Sequence, residues 1–141
     1  YRGRVSGPFL DRVDLQVDVP AVRAADLALP TAAEGSAEVA ARVAAAREIQ
    51  VRRAVAAGRP ETEAANARAS GDWLQAIADP EPDARALLTR AADAAGLTAR
   101  GWSRVLRLAR TLADLEADAA PAVGRRHVAE ALAYRGVSAG A

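Results

Sequence analysis

Lysine, cysteine and methionine are missing from the 141 residues, and all 19 basic side chains are arginine. Without lysine there is no Schiff-base chemistry and no phosphate-binding P-loop, whose lysine reaches the nucleotide phosphates. Without cysteine there are no disulfides, no thiolate nucleophiles and no cysteine-ligated zinc. A single histidine, His127, cannot build a histidine-rich metal site. Aromatic residues are confined to two Trp, two Tyr and one Phe, so the core must be packed from alanine, leucine and valine. No apolar run approaches the ~18 residues of a membrane span, and no secretory signal pattern is present. The formal net charge of +1 gives no global affinity for polyanions. These absences suit a cytoplasmic protein with no membrane partner.

What is there is mostly helix. Alanine, the best intrinsic helix former, is by far the commonest residue. Ser36 can cap a long helix through about Ala57, stopped by Gly58 and Pro60. Its Glu38–Arg42 and Glu48–Arg52 pairs have the spacing of a solvated helix face. Ser70 and Asp72 start a shorter helix through Ile77, which Asp79-Pro80-Glu81-Pro82 breaks. Asp83–Ala95 forms the next helix and closes at Gly96. Thr98 caps another that stops before Pro121, and Arg125–Tyr134 makes the last. The predicted fold class is mainly α: a bundle of four to five helices with one N-terminal β-strand.

That strand is the exception to the helical pattern. After a turn at Ser6-Gly7-Pro8 and a helical turn through Phe9–Arg12, Val13 to Val19 alternates apolar and polar residues up to Pro20. No other segment offers a partner, and a lone strand leaves both edges unpaired. Its sheet is therefore expected in sequence outside this chain, or in a second copy that pairs through residues 13–19. The chain begins at Tyr1 rather than Met and is expected to be part of a longer protein. The predicted organisation is a core remnant over 1–20, a linker over 21–35, a helical domain over 36–135 and a frayed tail over 136–141.

The densest charge lies on the helix after Thr98. At about 100° per residue, Trp102, Val105, Leu106, Ala109, Leu112 and Ala113 share one arc. Arg100, Arg104 and Arg107 form a stripe across from it, with Arg110 about a fifth of a turn away. Such a cluster calls for an anionic partner, and guanidinium groups recognise phosphate well. Asp114, four residues after Arg110, answers one charge. Other motifs read as structural. Gly136-Val137-Ser138-Ala139-Gly140 matches a nucleophile-elbow string, but no histidine follows the serine. Glu61, Glu63, Asp79, Glu81 and Asp83 read as solvated acidic loops, and His127 as a histidine near a helix start.

The string Arg4-Val5-Ser6-Gly7-Pro8-Phe9-Leu10-Asp11-Arg12-Val13-Asp14-Leu15, followed by Leu97-Thr98-Ala99-Arg100 through Arg110-Thr111-Leu112-Ala113-Asp114-Leu115, resembles the C-terminal part of Mg-chelatase-like AAA+ ATPases of the ComM/YifB branch. The terminal His127–Arg135 resembles that branch's final helix. The likeness covers nearly the whole chain in order, loosely over residues 53–95. Phe9, Thr98 and Gly101-Trp102-Ser103 depart from the family pattern without touching an arginine.

The resemblance implies an end of an AAA+ core followed by a helical lid. It implies that Arg12 is an arginine finger supplied in trans and that Arg100 is a sensor-2 residue facing ATP phosphate. Arg104 and Arg107 are further candidates for phosphate or for a subunit interface. Asp11 and Asp14 would orient Arg12 or cap its turn. It further implies a parent that is a hexamer acting on DNA, with ATP and Mg²⁺ bound mainly by upstream residues. One alternative is the ATPase subunit of Mg chelatase, driving metal insertion into a porphyrin. Another is a free-standing helical interaction module that binds an acidic partner.

The sequence has no Walker A loop and no Walker B run of apolar residues closing in paired acids. The chain alone is expected neither to bind ATP tightly nor to hydrolyse it. Purified chain should release no phosphate from ATP above background, and measurable turnover would refute this.

Overall fold

The structure, a computed structural model, describes Phe9 and residues 12–23, 34–116 and 122–137. Among the described residues five α-helices follow one another: α1 (Ser36–Ala56), α2 (Gly71–Ile77), α3 (Pro82–Ala95), α4 (Ala99–Leu115) and α5 (Arg125–Ala133), with two 3₁₀ turns, Glu61–Glu63 and Asn66–Arg68, between α1 and α2. These match the predicted helices to within a residue or two at most ends.

Local chemistry sets the boundaries. The N-cap of α1 is Gly35 rather than the expected Ser36, and the Glu38 carboxylate accepts from Gly35 N at 3.0 Å. Glu38 therefore caps the helix, and Arg42 pairs with Glu34 in place of the expected Glu38. Pro82 sits at the start of α3, where its missing N–H leaves no bond unmade. Gly96 ends α3 in the left-handed region (φ 61°), which glycine adopts without steric cost. Only Gly96, Leu97 and Thr98 separate α3 from α4, and Thr98 Oγ1 accepts from Gly101 N at 3.0 Å.

The core lies among α3, α4 and α5. Leu88, Val105, Leu106, Val128 and Leu132 fill it, with Ala84, Ala109 and Ala131 lining it. The alanines bring the helix backbones close, which is how a chain so poor in aromatics reaches a dry interior. Leu74 and Ile77 of α2 close one side. A parallel bridge between Pro80 and Val123, with Glu81 N donating to Val123 O at 3.0 Å, ties the α2–α3 loop to the entry of α5. Helix α1 packs on α4 through its second half, where Ala46, Ile49, Gln50 and Ala54 are buried; residues 36–45 are exposed.

The strand predicted over residues 13–19 is not formed. Among the described residues there is no sheet for it to join, and Leu15, Val17 and Val19 are 45%, 61% and 86% exposed. Its backbone finds other partners at the end of α5. Gln16 N donates to Tyr134 O at 2.6 Å, and Val13 O accepts from Arg135 Nη1 at 2.7 Å. Period two was present, but a strand is stabilised by its neighbours, and helix-end groups take their place. The predicted turn through Phe9–Arg12 agrees with the bond from Arg12 N to Phe9 O at 2.9 Å. Most of the predicted linker (residues 24–33) and the tail from residue 138 lie outside the described residues.

Leu88→Ala, at a fully buried position, should lower unfolding free energy by about 2–5 kcal/mol. Val17→Ala, at an exposed one, should stay within about 0.5 kcal/mol. Urea denaturation of the two variants separates these outcomes.

Candidate functional site

The four arginines of α4 have four different environments. Arg110 is buried: its Nε donates to Asp114 Oδ1 at 3.0 Å, and its Nη1 reaches Ile77 O at 3.4 Å. Burial holds this guanidinium below its ordinary pKa, with Asp114 opposing the shift and Arg53 adding to it. Arg107 is half-buried and donates through Nε to Ala69 O at 2.7 Å. Arg104, also half-buried, forms an ion pair with Asp14. Arg100, on the first turn, is exposed and has no partner among the described residues. The stripe drawn from periodicity is thus divided. Three members have partners inside the chain, and Arg100 alone faces solvent without one.

Asp114 is the centre of the largest polar cluster. Its side chain is 0% exposed and accepts from three residues. Arg53 of α1 supplies both Nη atoms, one of them at 3.2 Å from Oδ2. Asn66 Nδ2 donates to Oδ2 at 2.7 Å, and Arg110 Nε supplies the third contact. Asn66 also accepts from Arg53 Nη1 at 3.3 Å and donates to Thr111 Oγ1 at 3.1 Å. Sequence spacing identified only the Arg110–Asp114 part. Arg53 and Asn66 come from 61 and 48 residues away, and no local pattern marks them.

His127, at the third position of α5, is structural, as expected. Its Nδ1 accepts from Gly124 N at 3.0 Å, and its Nε2 lies 2.9 Å from the Glu116 carboxylate. Arg126 engages the same carboxylate. A groove of about 600 Å³ beside it is lined by Glu81, Gly124, Arg125, Arg126 and His127. No cluster of three or more histidine, aspartate or glutamate side chains among the described residues could hold a metal ion. No helix among them is long and apolar enough to cross a membrane.

Arg12 is exposed, two residues ahead of the Asp14 that pairs with Arg104. Arg104 in turn lies one helical turn from Arg100. The fold therefore brings the Arg12 segment to the half of α4 that carries Arg100, across about ninety residues of sequence. Arg135, which sequence reasoning left unassigned, is the second anchor of this segment.

Fold and site together define an α-helical bundle module organised on one arginine-bearing helix. The chain belongs to the family described as magnesium chelatase, subunit ChlI C-terminal, which matches residues 33–135. It is 37% identical over 137 residues to the uncharacterized protein YifB of Salmonella typhimurium, covering 97% of this chain. It is 38% identical over 135 residues to the uncharacterized protein Rv2897c of Mycobacterium tuberculosis. It is 34% identical over 135 residues to the competence protein ComM of Haemophilus influenzae. The chain spans about a quarter of the length of these relatives.

Asp114→Ala would leave two guanidinium groups facing each other without their carboxylate. It should reduce stability by about 3–5 kcal/mol, the range for breaking one side of a buried ion pair. Arg100→Ala should change stability by no more than about 0.5 kcal/mol. Thermal and urea unfolding of both variants checks the contrast.

Proposed function

We propose that this chain is the helical lid portion of a longer Mg-chelatase-like ATPase, with Arg100 and Arg12 as its nucleotide-facing residues. The observation that supports this reading is the division of the α4 arginines. A guanidinium left free at the first turn of a 17-residue helix, beside its positive dipole end, suits a phosphate group. The residues present therefore fit one end of a triphosphate. Among the described residues no acidic cluster would hold Mg²⁺, which other parts of the full protein would bind.

Bound ATP would supply the phosphoryl group that is transferred. Arg100 would hold its negative charge from the lid side and relay its presence as a movement of α4. Arg12, exposed on its own segment, would serve a neighbouring subunit of a hexamer, where a charge in trans is worth about 10³–10⁵ in rate. Arg107 and Arg110 keep to the internal partners that position the helix. In the full protein, hydrolysis would be coupled to remodelling or branch migration of DNA. Likeness to a competence protein favours DNA over metal insertion as the work done.

In the full-length protein, Arg100→Ala and Arg12→Ala should each lower ATP turnover by about 10² or more. Mixing Arg12→Ala subunits with subunits that cannot bind nucleotide but keep Arg12 should restore turnover. Arg100→Ala should not be rescued in this way. Wild-type rates in both single variants would overturn the assignment.

A further inference from the structure

The segment carrying Arg12 is held at two adjacent residues by arginines from two different helical elements. Arg104 of α4 engages the Asp14 carboxylate, while Arg135, just after α5, donates to Val13 O at 2.7 Å and to Asp14 O at 3.4 Å. Gln16 N completes the anchor on Tyr134 O at 2.6 Å. An ion pair on an exposed carboxylate contributes little by itself, and Asp14 is 57% exposed. Here the arginine side is different: the Arg104 side chain is only 16% exposed, so its direction is fixed by packing. The carbonyl bonds from Arg135 then fix the backbone on which Asp14 sits. Charge and backbone are thus gripped together over the two residues that follow Arg12.

We infer that Arg104 and Arg135 are positioning residues that clamp residues 13–14 and thereby present Arg12 and Arg100 as one unit of the lid. Arg104 serves this role through Asp14, whose carboxylate already meets its charge, and not as a direct phosphate ligand. Any movement of α4 is passed to the Arg12 segment through this ion pair. A shift sensed at Arg100 in one subunit therefore alters the finger that the same subunit offers to its neighbour. The inference rests on the proposed nucleotide roles of Arg12 and Arg100 for its consequence, but the clamp itself is testable without nucleotide.

The test is amide hydrogen exchange at Gln16 in the full 141-residue chain. Arg104→Gln, Asp14→Asn and the double variant should each speed Gln16 exchange by about tenfold, with no further gain in the double, because both changes break one contact. Arg135→Gln should do at least as much. Amides of Leu106 and Ala109 within α4 should keep their protection, which excludes general unfolding. Unchanged Gln16 exchange in Arg104→Gln, or additive effects in the double variant, would overturn the clamp.

A second readout in the full-length protein separates this inference from the nucleotide assignment. Arg104→Gln should lower kcat for ATP by about tenfold with KM unchanged, since a displaced finger affects the transition state and not binding. Wild-type kcat in Arg104→Gln with Arg100→Ala still impaired would overturn the coupling and leave the nucleotide reading standing. Unimpaired Arg100→Ala would remove that reading, while the exchange result would still decide the clamp.

Discussion

The bundle depends on one buried carboxylate. Asp114 sits on α4 with no exposure to solvent, and a lone charge in that position would be strongly unfavourable. It is tolerated because Arg53 from α1, Asn66 from a 3₁₀ turn and Arg110 from α4 itself converge on its two oxygens. That requirement fixes how α1 lies against α4, since neither guanidinium can leave without stranding the acid. Apolar burial among α3, α4 and α5 contributes the rest of the stability of that part of the fold. The register of the long first helix is set by the polar cluster, because the alanine-rich surface of α1 offers few shapes that specify one alignment.

The same physics accounts for the division of labour among the arginines of α4. Arginine cannot lose its proton in ordinary conditions, so each buried or half-buried copy must find an acceptor. Arg110 has Asp114, Arg107 has the Ala69 carbonyl, and Arg104 has Asp14. Arg100, one turn before Arg104, is exposed and has no partner among the described residues. Under the proposed function, a ligand met by Arg100 would move a helix that one turn later holds Asp14 through Arg104. The anchoring of residues 13–16 to α4 and to the end of α5 gives such a movement a place to go.

Helix positions were legible because their signals are local. Pro82, Gly96 and Thr98 act within a turn of where they stand, and the apolar arc of α4 is visible at its own period. The arc was even drawn with the right members, since Val105, Leu106, Ala109 and Ala113 are all buried. Less legible was where that arc ends. Arg110 and Asp114 lie on its flank, and only the packing of α1 brings them inside. The strand over 13–19 misled for the complementary reason: alternation describes side chains, whereas a strand requires a neighbour's backbone. Here helix-end groups and an arginine supply partners for that backbone.

The sequence by itself determined the helical class, most of the helix ends and the absence of lysine and cysteine chemistry in this chain, and it nominated Arg12 and Arg100 as candidates. Each of these follows from composition, from spacing within a few residues, or from the family likeness of short strings. The tertiary structure decided which arginines are left to act. Arg53, Asn66, Asp14 and Arg135 reach their partners across 48 to 122 residues. Charge on a helical wheel is only a direction, and whether it meets solvent, a carbonyl or a buried acid depends on what the rest of the chain packs against it.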